Sequence, residues 1–286
     1  MNAVRRWRTY PRLGRISNLP TIATQTAAGV AIADVRVDAR DVLFVGGGLT
    51  AAYVAGMFLN DAFDRHVDAR ERPDRPIPAG HIGAFEVFAL GGLLLVTGVL
   101  LLVAGGARHD HADAGLETAA GLAFAILLYD ASHKKNRFAP LVMGACRGLV
   151  YVCAASALSG SIPRIALVAA FAIAAHVAGL SEIARPDGSA SLAASALFLG
   201  PLALGLEISP HSLLATAITL VLVGVVAHAI RTARGGERER ATVMLLAGMS
   251  LVDASLLAAS GHPFLALGAA AAPLLTRALQ SVIRGM

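Results

Sequence analysis

Charge is what this chain has least of for its length. Of 286 residues, 15% are Asp, Glu, Lys or Arg, where a soluble domain carries roughly 25%. That shortage argues against a soluble globular domain. Cysteine is nearly absent. The two present, Cys146 and Cys153, lie seven apart in one apolar stretch. On a helix they share a face but stand too far apart for a disulfide, so packing is their expected role. There is no zinc-ligand spacing, no P-loop and no dinucleotide-binding glycine fingerprint, which removes the common metal-cage and nucleotide-binding readings. There is also no repeat of fixed period and no low-complexity linker.

What the chain has in abundance is apolar sequence. Apolar residues make up 56% and the mean hydropathy is +0.66. A membrane-crossing helix needs about 20 mostly apolar residues. Ten stretches qualify, near 16–33, 41–61, 82–105, 115–131, 139–158, 163–183, 189–207, 212–230, 241–260 and 263–283. The first and last carry polar residues or Arg. The expected fold class is therefore all-α: a polytopic membrane bundle of nine to ten transmembrane helices forming one domain, 1–286. Abundant glycine and alanine suit helices that approach closely in lipid. The Arg-rich start before the first stretch also has the look of a signal peptide, but Asn18, Pro20 and Gln25 interrupt its apolar region.

The Lys and Arg residues gather in alternate connections. With the N-terminus in the cytoplasm, inside segments hold the clusters Arg5 to Arg15, Arg65 to Arg75, Lys134 to Arg137 and Arg231 to Arg240, whereas outside segments hold only Arg36, Arg40, Arg108 and Arg164. Positive charge marks the cytoplasmic side, so the expectation is an integral protein of a bacterial-type inner membrane with a cytoplasmic N-terminus and an even number of spans. The sequence pI near 9.8 then reports topology, and no nucleic-acid partner is needed.

The second apolar stretch runs without a break into "NDAFDRHVDARERPDRPIPAG", Asn60 to Gly80. If the helix continues, Asn60, Asp61, Asp64 and Asp68 share one face. Three carboxylates on one stripe repel each other and call for a cation. Mg²⁺ suits them, because it takes one or two carboxylates and fills its remaining positions with water and substrate phosphate oxygens. Pro73, Pro76 and Pro78 then end the helix and leave a stiff loop carrying Arg72 and Arg75 over the aspartates. Arginines beside such a cluster make a diphosphate clamp.

This stretch resembles the first aspartate motif of the UbiA superfamily of intramembrane prenyltransferases, N-D-x-x-D-x-x-x-D followed by R-P-I-P-S-G, with Ala79 in place of the usual Ser. "LGRISNLPT" is similar to the family's first helix, and "LLYDASHKKNRFAPLVMGACRGLVY" to the stretch linking helices four and five. The resemblance implies a prenyl diphosphate substrate and a lipid-bilayer setting, with Mg²⁺ as cofactor on Asp61, Asp64 and Asp68. It also implies diphosphate contacts from Asn18, Asn60, Arg72, Arg75 and Lys134 or Lys135. The family's second motif, D-x-x-x-D, is reduced here to Glu182 and Asp187 in "AAHVAGLSEIARPDG". Of these, Glu182 sits on the helical run and is the expected contributor to a second metal or to proton removal. The combination resembles the EboC-like branch of the superfamily.

Other ionisable residues carry two readings. Asp130 either pairs with Lys134 one turn on or belongs to the phosphate site. Arg147 either pairs with Asp130 or reaches a phosphate. His176 and His228 read as satisfied by backbone or a neighbour, Glu86 as a helix-start carboxylate, and "RHDHADAGLE" as a solvated loop. Asp253 lies mid-helix and calls for a partner. Two functions follow: Mg²⁺-dependent transfer of a prenyl group, its tail lying among helices two to five, or non-catalytic binding or transport of a polyprenyl (di)phosphate or other lipid on the same scaffold.

Overall fold

The computed structural model describes residues 9–134, 136–185, 188–208 and 212–282, and among them the regular structure is helical throughout. Each of the ten apolar windows holds a helix. These are α1 Leu19–Ile32, α2 Gly47–Glu71, α3 Ala84–Ala107, α4 Ala112–Ser132, α5 Ala139–Ser159, α6 Arg164–Ala184, α7 Ala190–Ile208, α8 Leu213–Arg234, α9 Arg238–Ala259 and α10 Pro263–Val282. Seven helical segments are long and apolar enough to cross a membrane. Of the rest, α1 has 14 residues, and α7 and α10 have 19 and 20. A count of nine or ten full spans is finer than the seven shown.

Local chemistry sets the ends of α2. It is entered through a short helical turn, Ala39–Asp41, and a π-turn, Val42–Gly46. The Asp38 carboxylate accepts the backbone N–H groups of Arg40 and Asp41, while Asp41 accepts that of Asp38, a reciprocal cap that satisfies the free donors of a helix start. The helix then outlasts its apolar stretch and reaches Glu71, where Arg72 leaves helical geometry just before Pro73. The "RHDHADAGLE" tract, expected to be a solvated loop, has exposed residues and also fastens this N-terminal end of α2. Arg108 donates from Nε to Asp41 Oδ1 and from Nη2 to Asp38 Oδ2, both at 2.7 Å. His109 Nε2 lies 3.1 Å from the same Asp41 oxygen. Asp41 is buried, and a buried carboxylate needs such partners.

Consecutive helices from α2 to α10 pack side by side, and α1 inserts against α5, α9 and α10. The most deeply buried spans are α5 and α9, and the least are α3 and α4. Large apolar side chains such as Leu93, Leu100, Phe124, Leu202 and Leu206 point outward. In water such a coat would be a liability. In a bilayer it is the surface that faces lipid, with every helix satisfying its own backbone.

Lipid tails are as apolar as leucine, so helix association rests on close packing. Glycine supplies the closeness. A Cβ added to Gly48 would lie 2.9 Å from the Gly98 carbonyl oxygen, and one on Gly98 would lie 2.9 Å from that of Gly48. The α2–α3 crossing is therefore a reciprocal glycine contact. Gly144 and Gly148 of α5 meet the Ala174 and Ala170 carbonyls of α6 in the same way, at 2.8 and 2.9 Å. Gly98→Leu should accordingly lower stability in a thermal-shift assay in mild detergent, with a cost of at least about 1–3 kcal/mol from overpacking. Gly92, on the same helix but with no atom within 4 Å of an added Cβ, should accept Ala with no loss. Equal effects of the two would show that the crossing does not hold the helices.

Candidate functional site

The extension of α2 carries the site. Helical spacing brings Asn60, Asp61, Asp64 and Asp68 to one face, and all four are buried, Asp68 to 1% exposure. The charge is balanced by side chains from three other segments. Arg75 returns from the proline loop, and its Nη1 donates to Asp61 Oδ1 at 3.2 Å and to Asp68 Oδ2 at 2.7 Å. Arg15 stands ahead of α1 in the left-handed region, φ 43° and ψ 48°, a strained choice for a residue with a side chain. Its Nη2 lies 3.7 Å from Asp61 Oδ1.

Asp64 is served by the end of α4. His133 Nε2 is 3.3 Å and Lys134 Nζ 3.4 Å from its Oδ2. The His133 ring stacks on Tyr129, centroids 4.8 Å apart, with Nδ1 3.2 Å from the Tyr129 carbonyl oxygen. With an acceptor at each nitrogen, the ring is held as a donor on both sides. The bond to the Asp64 carboxylate raises the pKa of His133 above its ordinary value, against the opposing effect of burial. One turn back, Asp130 Oδ1 accepts from Asn60 Nδ2 at 3.3 Å.

These groups surround a cavity of about 440 Å³. Arg15, Asn18, Asn60, Asp64, Arg72, Arg75, Asp130, His133, Lys134 and Arg147 give it a charged end. Ile22, Leu49, Ala52, Gly56, Leu122, Ile126, Val150 and Leu246 line the remainder with hydrocarbon. Its walls thus come from α1, α2, α4, α5 and α9. The tail space expected among helices two to five includes α1 and α9 instead of α3, which supplies no lining residue. Such a shape takes an anionic head and an apolar tail.

Several expected partners are exchanged. Lys134 pairs with Asp64 of α2 and not with Asp130 one turn before it. Arg147 lines the cavity, but its Nη1 and Nη2 donate to Gln25 Oε1 and Thr21 Oγ1 at 3.2 and 3.4 Å; it does not pair with Asp130. Glu182 stands apart from the cavity. One of its oxygens is 3.4 Å from Arg185 Nη1, and the other accepts from the Ser189 backbone N–H at 3.3 Å. Lys135 and Asp187 lie outside the described residues. Asp253 finds Tyr151 Oη at 2.5 Å and Thr24 Oγ1 at 2.7 Å. His176 Nε2 meets the Leu245 carbonyl at 2.8 Å, and Glu86 accepts from Tyr10 Oη at 2.6 Å. The sequence reading passed over His133 and Tyr129, although they stand one helical turn apart and Lys134 follows directly.

Among the described residues no three His, Cys, Asp or Glu side chains converge into a ready metal cage. Mg²⁺ does not require one, since one or two carboxylates and phosphate oxygens suffice. Asp68 Oδ1 is buried with no hydrogen-bond partner, and the other carboxylates supply hard oxygen donors. The residues therefore fit an ion that arrives together with a diphosphate.

Residues 22–227 match the profile of the UbiA prenyltransferase family. A digeranylgeranylglyceryl phosphate synthase of Methanopyrus kandleri is 37% identical over 100 residues, 34% of this chain and 36% of that protein. The matched part thus spans about a third of that curated relative. Among solved structures, a study of digeranylgeranylglyceryl phosphate synthase in membranes gives a TM-score of 0.69 at 18% identity, covering 90% of this chain and 99% of that one. A UbiA homologue from Archaeoglobus fulgidus, bound to GPP and Mg²⁺, gives 0.64 at 11% identity, covering 87% and 99%. At these identities the structural likeness is one of fold.

Removing Arg75 leaves two buried carboxylates without their bridge. Breaking a buried ion pair costs about 3–5 kcal/mol, so Arg75→Gln should unfold at a clearly lower temperature than the parent. Added Mg²⁺ should restore more stability to the variant than it adds to the parent. A variant that melts normally and ignores Mg²⁺ would show that the aspartates are not a coupled charge cluster.

Proposed function

The chain belongs to the UbiA prenyltransferase family, and on that premise we propose that it transfers a prenyl group from a prenyl diphosphate to an acceptor within the bilayer, with Mg²⁺ as cofactor. The observation that carries the reading is that one cavity combines a charged end with a hydrocarbon remainder. Asp61, Asp64 and Asp68 would hold Mg²⁺, which when bound neutralises charge on the departing diphosphate. Arg72, Arg75, Lys134 and Arg147 bind diphosphate oxygens, and Asn18 and Asn60 orient them by hydrogen bonding. As the allylic C–O bond breaks, these fixed cations stabilise the negative charge that develops on the leaving oxygen, an effect strengthened where water is excluded. The prenyl tail lies along Leu49, Ala52 and Gly56 of α2 and faces Leu122 and Ile126 of α4.

The reading extends to placement. The clustering of Lys and Arg supports a site and N-terminus on the cytoplasmic side of a bacterial-type inner membrane, in a single domain. "YDASHKKN" and the reduced second motif support the EboC-like branch. One observation favours a second reading, a binding or transport protein for polyprenyl (di)phosphate. Glu182, the described remnant of the second motif, is engaged with Arg185 and the start of α7 and not with the cavity. A half-site of this kind can hold a diphosphate without ionising it.

Two measurements test these readings. Asp64→Asn should remove the Mg²⁺-dependent part of geranylgeranyl diphosphate binding, a loss of about tenfold or more for one charged contact. Unchanged Mg²⁺-dependent affinity would overturn the site. Glu182→Gln should leave diphosphate release within about threefold of the parent, the small effect expected of an exposed ion pair. A fall of about a hundredfold, the scale of a lost catalytic group, would return Glu182 to the chemistry.

A further inference from the structure

Past the first turn of α9, only two charged side chains occur on α1, α5 and α9: Arg147 on α5 and Asp253 on α9. Ionised groups at membrane depth are costly and are kept where they act. Yet these two do not form an ion pair. Asp253, 3% exposed, spends both oxygens on neutral donors: Oδ1 accepts from Tyr151 Oη at 2.5 Å and Oδ2 from Thr24 Oγ1 at 2.7 Å. Arg147 donates to Gln25 Oε1 and Thr21 Oγ1, and no carboxylate pairs with it among the described residues. A guanidinium has five N–H donors, so donors remain for a ligand in the cavity that Arg147 lines. Placement ties these groups together. Tyr151 follows Arg147 by one turn of α5, on the same face. Thr24 precedes Gln25 and follows Thr21 by one turn of α1. Gln25 Nε2 also donates to the Arg147 backbone carbonyl at 2.6 Å, so Arg147 is gripped at main chain and side chain alike. A Cβ added to Gly29 would lie 2.7 Å from Ala154 Cβ and 3.2 Å from Tyr151 Cα, so α1 rests directly on α5. Asp253 is where the two helices that carry Arg147 and its clamp are fastened to α9.

Resting on the reading of the cavity as a prenyl diphosphate site, we infer that Asp253 is a positioning residue for Arg147. Through Tyr151 it fixes the part of α5 from which Arg147 projects. Through Thr24 it fixes the turn of α1 that presents Thr21 and Gln25. It also supplies the opposite charge at one remove, with neutral groups between. A direct bond between Asp253 and Arg147 would balance the two charges, but it would withdraw the cation from the ligand. The contrast is with Arg75, which is bonded to two carboxylates and has to leave them before it can serve an anion. Arg147 is held by uncharged acceptors and meets a diphosphate oxygen without first breaking an ion pair.

The test measures Mg²⁺-dependent binding of geranylgeranyl thiolodiphosphate, an analogue that resists ionisation, to the full chain in lipid nanodiscs. Tyr151→Phe and Thr24→Val each cut one bond to Asp253 and leave its charge in place, so they report the hold alone. Each should weaken binding by about three- to tenfold, the range of coupling between neighbouring groups. Thr24→Ser, which keeps the hydroxyl, should bind within about twofold of the parent. Arg147→Gln should weaken binding by about tenfold or more, as loss of one charged contact does. The deciding measurement is the double variant. If Tyr151 acts through Arg147, then Tyr151→Phe added to Arg147→Gln should change affinity by less than about twofold, because the group it positions is gone. A general loosening of the bundle would instead weaken binding by the same factor in both backgrounds, and that result would overturn the inference. So would parent-like binding by both Tyr151→Phe and Thr24→Val, or a Thr24→Ser variant as weak as Thr24→Val. Each variant is first checked by thermal melting, and if Tyr151→Phe does not fold, Thr24→Val takes its place in the double variant. Parent-like binding by Arg147→Gln would refute the inference and leave the diphosphate site standing. If the parent itself does not bind the analogue, the diphosphate reading falls and this inference with it.

Discussion

The site depends on one guanidinium. Asp61, Asp64 and Asp68 stand on consecutive turns of a buried helical face, where repulsion is felt more strongly than in water because the effective dielectric is lower. Arg75 bridges the outer two from a single nitrogen. That contact requires α2 to stop where it does, and Pro73 stops it. It also requires the chain to double back, which the turns closed by the Arg75 and Ala79 backbone N–H groups accomplish. The middle carboxylate takes its cations from α4, so the end of that helix must lie across from α2. The positions of two helices and one loop follow from the need to neutralise three charges.

The same arrangement makes the site balanced before any ligand arrives. An anion and a divalent cation entering together can exchange partners with the existing pairs and leave the local sum nearly unchanged. On the transferase reading, a diphosphate oxygen would take over Arg75 or Lys134, and the freed carboxylate would be available to a metal. Either ion alone would leave a charge uncompensated in a poorly solvated space.

Much of this was legible in the sequence because it is periodic. Ten apolar windows became ten helices, and the aspartate stripe followed from the 3.6-residue repeat once α2 was taken to continue past its apolar part. What escaped was long-range. Asn60 meets Asp130 across 70 positions, and Thr24 meets Asp253 across 229. No local pattern announces either. Lys134 illustrates the same limit: one-turn spacing offers Asp130 as its partner, but the neighbouring helix places Asp64 Oδ2 within 3.4 Å of its Nζ. Glu182 was correctly placed on a helix, yet its position in the last turn of α6 let Arg185 and the start of α7 capture it. Helix ends are where backbone donors compete for carboxylates.

The reciprocal glycine crossing of α2 and α3, in which Ala52 also lies against Gly98, has a consequence for the adjoining face of α2. Pinned at Gly48, the helix presents Leu49, Ala52, Gly56 and Asn60 to the cavity in succession, a face that advances about 5.4 Å with each turn. It works as a ruler, graduated in side-chain volume. Ala52 and Gly56 leave room along this face, whereas Leu49, Tyr53 and Met57 take it up. On the transferase reading, the bulk at those few marks would set how long a hydrocarbon chain the cavity admits.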